Sequence, residues 1–151
     1  MERIFIFGTL KQDFPNFRFN SGLKLAGAFV TWKKYPLYLI GPRYSPWMIN
    51  DPGAGFNVEG QVFEVDTSGL KLMDALERID QEDGYRRSTV LVQNRDTGAV
   101  TDVFVYLKTV EQYLQARYSN NICSGPWDVY TVEHSLLYLS RNGMNQRKNE
   151  S

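Results

Sequence analysis

Glu77 is a carboxylate in a stretch that is otherwise apolar at helical spacing, with Leu70, Leu72, Met73, Leu76 and Ile79 around it. At about 100° per residue it falls between Leu70 and Met73, at the margin of the apolar arc, where it faces a pocket or an edge. Apolar neighbours disfavour the charged form, so a carboxyl there is expected to have a raised pKa and to exchange protons near neutrality, as a general acid or base must. The plainer alternative is a side chain at the rim of the helix that reaches water, because carboxylates are rarely buried unless paired. A second candidate is the segment Phe7-Gly8-Thr9-Leu10-Lys11. Glycine admits positive φ and close approach by a ligand, and consecutive N–H groups in such a turn can cradle a carboxylate. The same residues also suit an ordinary tight turn. Tyr106 ends an apolar strand, where it lines either a cavity or the core.

Other chemistries are poorly supplied. Cys123 and His134 are the only thiol and imidazole and lie in no nucleophile motif, so Cys123 reads as an inert thiol and His134 as a solvated helix residue. Asp128, Glu133 and His134 lack a ligand spacing that repeats on one face, so no metal site is expected.

The elements that must position these groups are mostly strands. Residues 3–7 form a short β-branched and aromatic run stopped by Gly8, a buried strand that delivers the first loop. Residues 23–32, 35–40 and 47–50 are further strands, punctuated by Gly41-Pro42, Pro46 and Pro52-Gly53. A strand over residues 60–65 leads into a helix over residues 68–80, capped by Asp66 or Ser68. Residues 86–93 and 100–108 form a hairpin across Asn94-Arg95-Asp96-Thr97-Gly98. Val110–Tyr118 has helical spacing, residues 119–125 are polar and turn-rich, and residues 132–139 suit a last short helix. From Arg141 onward almost nothing can be buried, so that tail is expected to be disordered.

Composition narrows the partner. With 151 residues, 42% hydrophobic and 14% aromatic, the chain suits one domain with a substantial core. Lys plus Arg equal Asp plus Glu at 17 each, so no overall field draws it to nucleic acid or an anionic membrane, and a small molecule is the expected partner. A single cysteine excludes an internal disulfide and suits a reducing cytoplasm. The apolar run before Gly8 is too short for a signal segment, and no window approaches a membrane span, so a soluble cytoplasmic protein is expected.

Several segments recur in an order that carries more than any one of them. They are Phe7-Gly8-Thr9-Leu10 with Lys11, Pro15, Asn16 and Arg18; Tyr35-Pro36-Leu37; Pro46-Trp47; Val58-Glu59-Gly60-Gln61-Val62-Phe63 up to Asp66; and Met73-Asp74-Ala75-Leu76-Glu77. Tyr85-Arg86-Arg87, Val103-Phe104-Val105-Tyr106 and Ser124-Gly125-Pro126-Trp127 follow. Over residues 3–127 this series resembles the γ-glutamylcyclotransferase-like superfamily, and in particular its γ-glutamylamine cyclotransferase branch. One departure is Phe7, where most members of that family have tyrosine.

The resemblance implies an α+β fold, in which six or seven strands make a small mixed barrel or strongly bent sheet with one main helix beside the pocket. It implies a domain over residues 1–127, with residues 128–151 as a C-terminal extension. It also implies that Glu77 is the catalytic acid–base group and that Phe7, Gly8, Thr9 and Leu10 hold the substrate, with Tyr106 lining the cavity. Glu82 lies near Tyr85 and is the rival carboxylate, but it requires the helix to continue past Asp80 and is expected on a solvated loop. The implied reaction closes a γ-glutamyl amide to 5-oxoproline with release of an amine, without a cofactor. Two readings stay open beside it: a member that removes a γ-glutamyl group from a biosynthetic intermediate, and a non-catalytic member that binds a small carboxylate.

Overall fold

The computed structural model describes residues 1–138, so the tail from Arg141 lies outside the described residues. Strand β1 (Glu2–Ile6) sets the architecture because its end is buried on both faces. Side chains alternate across a strand. Phe5, and Phe7 just beyond β1, join an inner cluster with Val62, Val92, Val103, Val105 and Leu107, whereas Ile4 and Ile6 join an outer cluster with Phe63, Val65, Leu70, Met73 and Tyr106. The inner set is the core of a barrel. The outer set is the seat of a helix.

The barrel closes through five strands: β1, β3 (Phe29–Thr31), β6 (Glu59–Val65), β7 (Arg86–Asn94) and β8 (Val100–Leu107). β1 runs parallel to β8 at Ile4↔Phe104 and antiparallel to β6, while β7 pairs antiparallel with both β8 and β3, and β3 with β6. β2 (Leu23–Lys24) is added to the edge of β6. A second sheet, in the order β5 (Ser45–Met48), β4 (Leu37–Ile40), β9 (Ile122–Ser124), packs beside the barrel. It is joined there by Lys108, whose N–H donates to the Met48 carbonyl at 2.9 Å and whose carbonyl accepts from Asn50 at 2.8 Å.

The α+β mixed barrel expected from the sequence is present, with two differences in count. Nine strands occur among the described residues, and the closed ring has five. The run over residues 23–32 breaks in two at Gly27, which has φ +99°, a conformation that leaves the strand region. β9 falls in the segment that reads as a turn, because three residues with an exposed cysteine at the centre carry no useful periodicity. Of the helices, α2 (Val110–Tyr118) has the expected bounds and α3 (Val132–Leu137) is shorter than expected. The chain beyond residue 127 also contributes to the barrel: Tyr130 is 1% exposed within the inner cluster, and the Asp128 carbonyl accepts from the Glu59 N–H at 2.8 Å.

Barrel closure between β1 and β6 requires a glycine at position 60. A Cβ there would lie 2.5 Å from the Phe5 ring and 2.6 Å from the Ile6 carbonyl oxygen. Gly60→Ala is expected to lose about 1–3 kcal/mol by overpacking. Urea unfolding measures this, and an unchanged midpoint would mean that the two strands separate more easily than the contacts indicate.

Candidate active site

Helix α1 (Thr67–Leu76) begins at Asp66, whose side chain accepts from the Gly69 N–H at 2.7 Å and from the Ser68 hydroxyl at 3.0 Å. Those bonds hold the Asp66 carboxyl below the usual carboxylate range. Leu70 and Met73 seat the helix on the outer face of the barrel. Asp74 pins it further, accepting from the Tyr106 hydroxyl at 2.8 Å and from the Arg87 guanidinium at 2.6 Å. The Tyr106 phenol is kept protonated by burial and by that carboxylate.

The helix does not continue to residue 80 as expected. It stops at Leu76, with Glu77 as its C-cap. Arg78 then takes a left-handed conformation at φ +56°, its N–H donates to the Ala75 carbonyl at 3.2 Å, and the Ile79 N–H reaches the Asp74 carbonyl at 3.3 Å. These are the two bonds of a Schellman ending, with arginine where glycine is usual. The glycine is elsewhere: a Cβ on Gly84 would overlap the Arg78 carbonyl. A sequence reading that looks for glycine just after the helix therefore misses this stop.

The chain from Arg78 to Gly84 folds back on the helix end. The Tyr85 N–H donates to the Glu77 carbonyl at 2.9 Å. Donors converge on the carbonyls of this loop: Arg86 on Gln81 at 2.8 Å, Gln112 on Gly84 at 2.8 Å and Lys108 Nζ on Asp83 at 2.6 Å. Asp83 is also paired with Arg78 at 3.0 Å. Glu82 is exposed on this loop.

Glu77 thus lines two connected spaces. One is an open cleft of about 1010 Å³ whose wall includes Arg43, Trp47, Lys108 and Tyr138. The other is a pocket of about 40 Å³ formed by Glu77, Tyr85, Tyr106, Pro46 and the segment from Phe5 to Leu10. Among the described residues none hydrogen-bonds the Glu77 carboxyl, which is half-buried through its opening to the cleft. Burial raises its pKa to about 7, against the opposing pull of the Lys108 and Arg43 charges.

The first loop forms the facing wall. Asn16 holds it twice, its N–H to the Thr9 carbonyl at 2.8 Å and its side-chain amide to Thr9 Oγ1 at 2.9 Å, while Asn20 donates to the Leu10 carbonyl at 3.0 Å. The N–H groups of Gly8, Thr9 and Leu10 donate to no acceptor among the described residues. Gly8 does not have the positive φ expected of it. Space is what requires glycine here, because a Cβ would lie 2.9 Å from Pro46 Cγ. Pro46 in turn accepts the Tyr85 hydroxyl at 2.8 Å, which links the loop to the Glu77 side of the pocket.

Phe7, Gly8, Thr9, Leu10, Tyr106 and Glu77 therefore meet in one place. Asn16, Pro46, Tyr85 and Lys108 belong to the same arrangement and were not identified as site residues from sequence. The first three stand in the segments that carry the family resemblance, whereas a lysine at the end of a strand gives no signal. His134 is not a solvated residue as expected: its Nδ1 accepts the Thr131 N–H at 3.1 Å and its ring packs 4.5 Å from Trp127. Cys123 is exposed on β9, with Sγ 3.4 Å from the Gly41 carbonyl oxygen. The described residues contain no group of three or more His, Cys, Asp or Glu that could hold a metal ion, and no helix long and apolar enough to cross a membrane.

Residues 4–129 match the family described as gamma-glutamyl cyclotransferase, AIG2-like. The gamma-glutamylaminecyclotransferase of Mus musculus is 33% identical over 117 residues, covering 70% of this chain and 77% of that protein. Gamma-glutamylaminecyclotransferase B of Danio rerio is 32% identical over 117 residues, covering 72% of this chain, but the chain spans only 60% of its length. The crystal structure of an AIG2-like protein from Mus musculus superposes with a TM-score of 0.77 at 29% identity, covering 93% of this chain and 97% of that one. The chain belongs to the AIG2-like gamma-glutamyl cyclotransferase family.

The elevated pKa of Glu77 has a consequence for stability. Its folded pKa lies above the ordinary value of 4.5, so its contribution to stability is complete below that value and is lost as pH rises through about 7. Glu77→Gln is expected to melt at a higher temperature than the parent at pH 8, with the two converging toward pH 5. Thermal denaturation across that range checks it, and a variant that melts lower at pH 8 would show that the ionised carboxylate stabilises the fold.

Proposed function

We propose that the protein is a γ-glutamyl cyclotransferase that closes γ-glutamyl amides to 5-oxoproline and releases the free amine, with Glu77 as the acid–base group. The observation that carries this reading is the Glu77 carboxyl itself. Burial brings its pKa to about 7, and it shares a small pocket with the N–H-bearing first loop. A site built only to hold a carboxylate would gain nothing from a second carboxylate in its wall.

The substrate brings its own nucleophile. Its α-amine attacks the γ-carbonyl carbon, a new C–N bond closes the five-membered ring, and the carbonyl oxygen takes the negative charge. Glu77 takes the proton from the attacking nitrogen. Glu77 then gives that proton to the leaving nitrogen as the old C–N bond breaks, which restores the carboxylate. A group with a pKa near ambient pH serves both halves, and such transfer is worth roughly 10²- to 10⁴-fold. Folding the γ-glutamyl chain into an attack geometry contributes several kcal/mol more, on the order of the values for oriented intramolecular reactions. The N–H groups of Gly8, Thr9 and Leu10 are the donors available to substrate oxygens. The adjoining cleft takes the amine portion. The γ-glutamylamine branch fits this reading, since the mouse and zebrafish relatives carry that name.

The test is a screen of γ-glutamyl amides for 5-oxoproline release. Against the best substrate, Glu77→Gln is expected to lose about 10²-fold or more in kcat, and Glu82→Gln less than about tenfold. A dead Glu82→Gln beside an active Glu77→Gln would move the catalytic role to Glu82. Gly8→Val is expected to push Pro46 away and to weaken 5-oxoproline binding at least tenfold, measured by titration calorimetry. Unchanged affinity would remove the first loop from the binding site.

A further inference from the structure

Lys108 is a charged residue only 3% exposed, and its side chain is enclosed in a particular way. Its ammonium sits 4.2 Å from the centre of the Trp47 ring and 4.5 Å from that of Tyr85, and it donates to the Asp83 carbonyl at 2.6 Å. A lysine held between two aromatic faces gives up most of its hydration, a loss that the ring contacts and the hydrogen bond to the Asp83 carbonyl offset in part. Its contacts converge on the elements that hold Glu77. Asp83 lies in the loop that returns the chain to Tyr85, and the Tyr85 N–H is bonded to the Glu77 carbonyl. The main chain of Lys108 meanwhile fixes β5 through Met48 and Asn50.

We propose that Lys108 is a positioning residue for the reaction: its enclosed ammonium fastens the loop of residues 78–84 against Trp47 and Tyr85 and holds a positive charge in the wall of the cleft that Glu77 also lines. The proposal rests on the reading of Glu77 as the acid–base group. The other charged or titratable groups that bear on the Glu77 carboxyl are Arg43 from the β4–β5 turn, Tyr85 just before β7, Tyr106 on β8 and Tyr138 across the cleft, while Arg78, Asp83 and Arg86 bear on the loop and on Lys108. Tyr85 and Tyr106 are kept protonated by burial, which leaves Lys108 and Arg43 as the cations that act on the Glu77 carboxyl itself. Lys108 is the more buried of these, with burial pulling its own pKa down to about 8 and Asp83 and Glu77 opposing that fall. Its charge therefore acts through less water than that of Arg43.

The experiment compares Lys108→Met and Lys108→Arg by following the Glu77 carboxyl carbon in an NMR pH titration, alongside kcat against pH on one substrate. Losing the cation disfavours the carboxylate, so in Lys108→Met the Glu77 midpoint should rise by about one unit. At pH 7 kcat should fall about fivefold with KM little changed, and it should recover as pH is raised by the same displacement. Lys108→Arg, which keeps the charge, should hold the midpoint within a few tenths of the parent. Ionisation of the substrate amine is common to all three proteins and cancels in the comparison. An unmoved midpoint in a folded Lys108→Met would overturn the proposal. If that variant does not fold, the parent protein decides: coupled titration of the Glu77 carboxyl carbon and the Lys108 ε-carbon supports it, and two independent single-step curves overturn it. The titrations need no turnover, so they read the coupling even if Glu77→Gln proves active and the catalytic reading fails.

Discussion

The bond from the Tyr85 N–H to the Glu77 carbonyl, 2.9 Å long, makes the end of α1 a fixed point instead of a fraying terminus. A helix that ran on to residue 80 would carry Glu77 along its side and leave the carboxyl a matter of rotamer choice. Stopping at Leu76 costs a left-handed residue at Arg78, on the order of 1 kcal/mol or more for a side chain other than glycine. The returns are the two Schellman bonds and a loop whose carbonyls are met by Arg86, Gln112 and Lys108. The left-handed turn is thus held in place by donors from β7, α2 and Lys108 just beyond β8.

The rest of the barrel supplies the other wall. β1 is inserted between β8 and β6, buried on both faces, and it releases the chain at Phe7 directly beside the helix end. Its two-sided burial means that the loop starts from a well-packed strand end. Asn16 and Asn20 occupy the Thr9 and Leu10 carbonyls, and the N–H groups of Gly8 to Leu10 have no acceptor among the described residues. Two effects then compete at Glu77. Removal from water raises its pKa, Lys108 and Arg43 lower it, and the balance falls near neutrality because the first is only partly offset. A carboxyl with ion-pair partners in direct contact would stay ionised and poor at giving a proton back; one with no cation nearby would stay protonated and poor at taking one.

How much of this was legible in the sequence depends on which physical signal carried it. The β7–β8 hairpin and α2 were readable because their periodicity and turn chemistry are local, and the helix cap was narrowed to Asp66 or Ser68 for the same reason, the structure choosing Asp66. The meeting of Phe7, Gly8, Thr9 and Leu10 with Glu77 rested on the family resemblance, since nothing in the spacing says that β1 will lie next to α1. The short β2 and β9 strands exist only because a partner strand is present, so no local pattern announces them. Gly8 was selected for the right place and the wrong reason. Its backbone needs no positive φ, and the constraint comes from Pro46, a residue on another sheet. Lys108 was invisible because its meaning lies in Trp47, Tyr85 and Asp83, which are brought to it by β5 and by the connection between α1 and β7.

The central claim is that Glu77 and the first loop form one pocket for the γ-glutamyl half of a substrate. A crystal structure of the protein with 5-oxoproline tests it most directly. The lactam ring is expected in the pocket between Leu10 and Tyr85, with ligand oxygens on the N–H groups of Gly8 to Leu10 and the ring nitrogen within hydrogen-bond reach of the Glu77 carboxyl. A ligand seated elsewhere in the cleft, with the loop N–H groups unengaged and Glu77 turned toward solvent, would contradict it.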